Sequence, residues 1–160
     1  MSSSSLRIIV PTFLLYSLRT GFSWQHLAIC QALDILIPLG KYFQVQDGFL
    51  DIFGDPSVIG NIGTDIQDNK CSWLVNQAIL CCSPQQRAVL DESYSRRDKM
   101  NVRREFGELD IQGAFRDFED KRIQELQRLI EAVDERDGLH KKVFTVFLSK
   151  ICQRSNWLFI

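Results

Sequence analysis

Acidic side chains are concentrated in one stretch of the chain, residues 42–73. The stretch contains Asp47, Asp51, Asp55, Asp65 and Asp68, followed closely by Lys70. Asp47 and Asp51 are four residues apart, so on a helix both carboxylates project from one face. Carboxylates that leave several waters in place are typical ligands for Mg²⁺ bound to a phosphate group, because this ion prefers oxygen and dehydrates reluctantly. Lys70 could add a point charge for a phosphate oxygen. The same spacing also occurs on ordinary solvated helix faces, so spacing alone leaves both interpretations open.

The composition favours a single intracellular domain. The chain has 160 residues, of which 45% are apolar, enough for one sizeable core. Its net charge of −1 argues against nucleic-acid binding, which needs a basic surface, so no nucleic-acid partner is expected. The five cysteines have no metal-binding spacing, and the number is odd, which favours reduced thiols.

The apolar pattern predicts helices along nearly the whole chain and no sustained strand. The predicted helices cover residues 24–53, 66–82, 84–95, 99–108, 111–135 and 139–151. Pro38 is expected to kink the first helix or to end its first half. Ser83 and Pro84 are typical of the N-cap and first position of a helix. The 111–135 segment has the clearest buried stripe, and Val143, Phe144, Phe147, Leu148 and Ile151 are expected to be inside in the last helix.

We divide the chain into a disordered leader (1–7), one domain (8–154) and an apolar tail (155–160). The apolar run 6–18 is too short to span a bilayer, so no transmembrane segment is expected. Since no acidic residue precedes Asp34, a Ser/Arg-rich targeting segment is possible. We therefore predict a cytoplasmic protein, with a mitochondrial one as the alternative.

Residues 42–73 resemble the second aspartate-rich region of the farnesyl diphosphate synthases, which are short-chain isoprenyl diphosphate synthases of the polyprenyl synthetase family. In that family an Asp-Asp-x-x-Asp motif precedes Phe-Gly-Asp-Pro and then Gly-Lys-Ile-Gly-Thr-Asp-Ile-Gln-Asp-Asn-Lys-Cys-Ser-Trp. The run GTDIQDNKCSW, residues 63–73, is intact here. A looser likeness covers residues 8–154 and corresponds to the carboxyl-terminal half of the family.

The resemblance implies an all-α helix bundle of the isoprenoid synthase type, of which this chain holds about the carboxyl-terminal half. Members of the family are normally homodimers that join an allylic diphosphate head to tail with isopentenyl diphosphate, using Mg²⁺ held by two aspartate-rich motifs. By this resemblance Asp47 and Asp51 would be metal ligands and Asp65 would support the metal shell. Phe43 and Gln44 would line the substrate cavity, and Lys70 would contact the diphosphate.

The chain departs from the family where the chemistry should occur. Gly48 replaces the middle aspartate of the second motif, and Asn61 stands where the family has a lysine. Pro11 and Thr12 align less securely with a Lys-Thr pair that serves the diphosphate. No Asp-Asp-x-x-Asp occurs in the 160 residues, so the first motif is missing. We therefore expect no catalysis by this chain alone, and its status as an enzyme is open.

Three interpretations follow. The chain could be part of a genuine synthase whose activity needs the full protein. It could be a non-catalytic relative that forms a homo-oligomer or a heterodimer with a full-length synthase. It could also be a helical protein that retains the sequence by descent alone. A half-bundle would expose apolar faces, so we expect the isolated chain to be oligomeric or poorly soluble.

Overall fold

The computed structural model describes residues 25–55, 64–66, 68–95 and 99–155. They form helices α1 (Gln25–Phe53), α2 (Trp73–Cys81), α3 (Pro84–Ser95), α4 (Lys99–Glu108), α5 (Ile111–Glu131) and α6 (Lys141–Ser155), with a turn of 3₁₀-helix at Glu135–Asp137. No strand occurs among these residues, which confirms the predicted all-α fold. None of the described helices is long and apolar enough to cross a membrane. The compartment stays a prediction.

Two hydrophobic clusters hold the helices together, and α1 and α5 take part in both. The first cluster joins the start of α1 to the end of α5 and to α6, through Ala32, Ile35, Leu39, Tyr42, Leu126, Ile130, Val133, Phe144, Leu148 and Ile151. The second joins the end of α1 to the start of α5 and to α2, α3 and α4, through Phe49, Ile52, Ile66, Leu74, Ala78, Leu90, Val102, Phe106, Ile111 and Phe115. Helices α1 and α5 are therefore antiparallel neighbours.

Helix α1 continues through Pro38, so of the two expected effects, a kink or an end of the first half, the end does not occur. Proline lacks one backbone N–H, but Ile35 and Leu39 on either side of it are buried in the first cluster. Packing of these side chains outweighs the lost hydrogen bond.

The helix predicted over residues 66–82 is also wrong in its first part, because α2 begins only at Trp73. Asn69 has a left-handed backbone with φ of 53°, and the Lys70 N–H donates to the Asp65 carbonyl at 2.9 Å, so this segment forms turns. Ser72 is the N-cap, and its hydroxyl accepts from the Val75 N–H at 3.4 Å.

The predicted cap of α3 is confirmed. The Gln86 N–H donates to the Ser83 hydroxyl at 3.3 Å, and the Ser83 N–H donates to the Gln86 side-chain oxygen at 3.0 Å. This reciprocal pair is a capping box, which satisfies two backbone donors at the helix start.

The last two helices follow the predicted pattern with shifted ends. Helix α5 ends at Glu131 rather than 135, and α6 covers Lys141–Ser155 rather than 139–151. Gly138, with φ of 82°, makes the left-handed turn between them. Phe144, Leu148 and Ile151 are buried as predicted, but Val143 is 50% exposed and was wrongly placed inside.

Several predictions concern residues outside the described part of the chain. They are the leader (1–7), the segment with Pro11 and Thr12, Asn61, and residues 156–160 of the tail.

Candidate functional site

A hollow of about 530 Å³ lies beside α1, α2, α5 and the loop that precedes α2. Its polar wall includes Lys41, Gln44, Asp65, Lys70 and Arg122, and its apolar wall includes Val45, Trp73, Leu74 and Phe118. The structure thus brings three residues singled out in the sequence, Gln44, Asp65 and Lys70, to one shared cavity. A cavity with clustered cations and an apolar side suits an amphiphilic anion.

Asp51 fixes the loop of this hollow to α1. Its two carboxylate oxygens accept the backbone N–H groups of Thr64 at 3.0 Å and of Asp65 at 2.9 Å. The Thr64 hydroxyl in turn donates to the Asp68 carboxylate at 2.8 Å. Charge-assisted bonds to backbone amides are stronger than neutral ones, so Asp51 positions the loop firmly.

Asp65 and Lys70 form an ion pair at the rim of the hollow, with Lys70 Nζ 2.5 Å from Asp65 Oδ1. The Asp65 side chain is 15% exposed and that of Lys70 is 56% exposed, so the lysine reaches into solvent. The hydrogen bond to Asp65 raises the pKa of Lys70 above its ordinary value, which keeps the amine charged. The Tyr94 hydroxyl donates to the Lys70 carbonyl at 3.2 Å and supports the loop from α3.

Gly48 lies on the wall of the hollow, at the position where the family motif has its middle aspartate. A Cβ at this position would lie 3.6 Å from Leu74 Cδ1 and 3.7 Å from Asp65 Oδ2, which is ordinary contact. A side chain would therefore fit, and a carboxylate here would meet that of Asp65. The glycine removes negative charge from the hollow.

Asp47 and Phe43 have a different partner, at the end of α6. Arg154 Nη2 donates to Asp47 Oδ1 at 2.9 Å, and the guanidinium carbon is 4.6 Å from the centroid of the Phe43 ring. Phe43 packs beside the first hydrophobic cluster, and neither residue lines the hollow. These two predicted site residues thus link α1 to α6 in this arrangement.

The carboxylates do not fit a resident magnesium ion as they are arranged. Asp47 pairs with Arg154, both oxygens of Asp51 accept backbone amides, and Asp65 pairs with Lys70. Within the described ranges no group of three or more His, Cys, Asp or Glu residues could hold a metal. The metal roles of Asp47, Asp51 and Asp65 stay predictions.

Sequence reasoning missed two cations of the hollow, Lys41 and Arg122. Lys41 was detectable, because it precedes Gln44 by three residues and Gly48 by seven, which places it on the same helix face. Arg122 lies on α5, far away in sequence. Only the antiparallel packing of α1 and α5 brings it to the site.

The sequence of this chain is similar to those of known proteins of one family. The family model for polyprenyl synthetase matches residues 16–108. The chain is 53% identical over 127 residues to the farnesyl pyrophosphate synthase of Schizosaccharomyces pombe, covering 78% of this chain and 37% of that protein. It is 48% identical over 126 residues to the mouse enzyme of the same name, covering 77% of this chain and 35% of that protein.

The fold of this chain is also similar to solved structures of farnesyl diphosphate synthases. A structure of the Trypanosoma brucei farnesyl diphosphate synthase complexed with risedronate has a TM-score of 0.64 and 31% identity, over 79% of this chain and 35% of that one. Another structure of the T. brucei enzyme has a TM-score of 0.70 over 77% of this chain and 39% of that one. The chain therefore spans little more than a third of the length of its relatives.

Proposed function

Because this chain belongs to the polyprenyl synthetase family, we propose that it forms one wall of a farnesyl diphosphate synthase-type site and binds the diphosphate of an isoprenyl diphosphate in the hollow beside Lys70. The observation that carries the proposal is the shared cavity of Gln44, Asp65 and Lys70. Asp65 and Lys70 belong to the intact run 63–73, which is the most specific part of the family resemblance, and Gln44 lies in the same resembling segment, residues 42–73.

Both walls of the hollow suit such a ligand. Lys70 offers a charged amine to phosphate oxygens, and a hydrogen bond to an ionised partner is about twice as strong as a neutral one. Trp73 and Phe118, with ring centroids 5.0 Å apart, provide an apolar surface for a prenyl chain. Burying such a chain contributes about 0.8 kcal/mol per CH₂ group.

We propose that the chain does not carry out the condensation unaided. The reaction depends on stabilising the charge of the departing diphosphate, which preorganised groups and metal ions supply. The 160 residues contain no Asp-Asp-x-x-Asp sequence, and the carboxylates of Asp47, Asp51 and Asp65 already have protein partners. The opposite wall of the site would have to come from other polypeptide.

Isothermal titration of the purified chain with geranyl diphosphate in a magnesium-containing buffer tests the binding. We expect Lys70→Gln to weaken binding by about tenfold, equivalent to about 1.4 kcal/mol. Lys150→Gln is the matched control, because Lys150 is exposed on α6 and lies away from the hollow. The absence of binding, or equal effects of both substitutions, would refute the proposal. A radiolabelled condensation assay should give no farnesyl product, and product from this chain alone would refute the non-catalytic part.

A second candidate function is that of a partner for another synthase chain, as a homo-oligomer or a heterodimer. It is favoured by large apolar side chains on the described surface, including Leu80 at 76% exposed and Met100 at 83% exposed. Such side chains, when clustered, mark interaction surfaces. Co-purification of the chain with a full-length farnesyl diphosphate synthase tests this, and separate elution of the two proteins would count against it.

A further inference from the structure

We propose that the hollow binds a diphosphate group without a metal ion, because the chain itself supplies the positive charge through Lys41, Lys70 and Arg122. The inference rests on the proposed function for the class of ligand. It specifies that cations of the protein neutralise the charge of the ligand. It assigns this role to two residues outside the aspartate-rich motif, Lys41 and Arg122.

The ionisable residues that line the hollow leave an excess of positive charge. They are three cations, Lys41, Lys70 and Arg122, and one carboxylate, Asp65. Glu125, which does not line the hollow, pairs with Arg122, so one positive charge remains in excess. Asp65 is itself bound to Lys70. A diphosphate entering this space meets cations that can donate hydrogen bonds directly to its oxygens.

Arg122 is held in place and keeps a donor available. Its Nη1 donates to Glu125 Oε2 at 2.8 Å, and its guanidinium carbon lies 5.5 Å from the centroid of the Phe118 ring. The Nε atom is buried and has no hydrogen-bond partner in the structure as described. An enclosed donor without an acceptor is unfavourable, so an anion oxygen that reaches this atom would satisfy it.

The carboxylates that would require a bridging metal do not face the hollow as free groups. Asp47 binds Arg154, Asp51 accepts two backbone amides, and residue 48 is a glycine. Where carboxylates face a diphosphate, both partners are negative and only a metal between them makes the contact favourable. Asp65 is the one carboxylate among the residues described as lining the hollow, and its pairing with Lys70 reduces the repulsion of a diphosphate.

Isothermal titration with inorganic pyrophosphate and with geranyl diphosphate, in excess EDTA and in millimolar MgCl₂, tests the inference. We expect binding in EDTA to be at least as tight as with magnesium, since free Mg²⁺ competes for the diphosphate. Binding that appears only with magnesium would overturn the inference and leave the proposed function intact. Binding of geranyl diphosphate but not pyrophosphate in EDTA would also overturn it, because charge would then not hold the ligand. No binding under either condition would refute both.

Substitutions test which residues contribute to metal-free binding of pyrophosphate. In EDTA we expect Arg122→Gln and Lys41→Gln each to weaken pyrophosphate binding by about tenfold, and Lys150→Gln to leave it unchanged. Gly48→Asp should weaken binding in EDTA and restore part of it with magnesium, because the new carboxylate would lie beside Asp65. A thermal melt of each variant shows that it is folded. Unchanged affinity in folded Arg122→Gln, or a Gly48→Asp variant that binds like the parent in EDTA, would overturn the inference.

Discussion

Arg154 connects the end of α6 to α1 through two contacts, an ion pair with Asp47 and a cation–π contact with Phe43. Both groups of the ion pair are about a third exposed, at 31% and 40%, so solvent screens much of the attraction. We expect Arg154→Gln to lower the free energy of unfolding by about 1 kcal/mol, measured by urea denaturation. Lys150→Gln on the same helix should have no measurable effect. Equal stability of the two variants would show that the link contributes nothing.

Tyr42 is buried in the first cluster, and its hydroxyl donates to Glu119 Oε1 at 2.6 Å. Tyr42→Phe should lower the free energy of unfolding by about 2 kcal/mol near neutral pH, because buried Glu119 loses this donor. Gln46 completes the network by donating to the Ile151 carbonyl at 2.8 Å. Urea denaturation measures the loss, and an unchanged free energy of unfolding in Tyr42→Phe would contradict the hydrogen bond to Glu119.

Tyr42 and Tyr94 predict that the protein loses stability at alkaline pH. Burial, followed by the hydrogen bond to Glu119, raises the pKa of Tyr42 above its ordinary value, and burial raises the pKa of Tyr94 to about 12. The unfolded phenols ionise near pH 10, so their contribution is complete below about pH 10 and is lost as pH rises above it. Each group contributes a slope of at most about 1.4 kcal/mol per pH unit. Urea denaturation at several alkaline pH values should show a shallower fall for Tyr42→Phe than for the parent, and parallel curves would contradict this.

The glycines within α1 allow a prediction about how alanine substitutions change thermal stability. Gly48 is buried and a Cβ there has ordinary contacts, whereas a Cβ at Gly40 meets nothing within 4 Å. Alanine in place of a helix-interior glycine stabilises by about 1 kcal/mol, and burying the new methyl adds to that. Thermal denaturation should therefore rank Gly48→Ala above Gly40→Ala, and both above the parent. A destabilised Gly48→Ala would contradict the contacts described for the hollow.

Helix type and order were predictable from the sequence because caps and apolar periods are local. The start of α3 at the Ser83 capping box is an example. The start of α2 was placed too early because the prediction joined Ile66 to the apolar run that begins at Trp73, across a polar stretch in which Asn69 makes a turn. The burial of Glu119 and the position of Arg122 were not predictable, since both depend on the packing of α5 against α1. The pairing of Asp47 with Arg154 likewise joins residues distant in sequence.

The exposed apolar side chains of the described surface predict that copies of the chain associate. Leu80, Met100, Ile37, Val143 and Val146 are large apolar residues that are 45–83% exposed. Contact between copies of the chain removes such side chains from water, which favours association. Sedimentation velocity at rising protein concentration should show increasing average mass. A monomer at all concentrations with a cooperative melt would contradict this expectation.

The antiparallel pairing of α1 and α5 couples the stability of the two hydrophobic clusters. Both helices contribute side chains to both clusters, so opening the first cluster removes support from the helices that carry Lys41 and Arg122. A ligand that binds only the folded site shifts this equilibrium. Amide hydrogen exchange in α6, which holds none of the residues lining the hollow, should therefore slow when pyrophosphate is added.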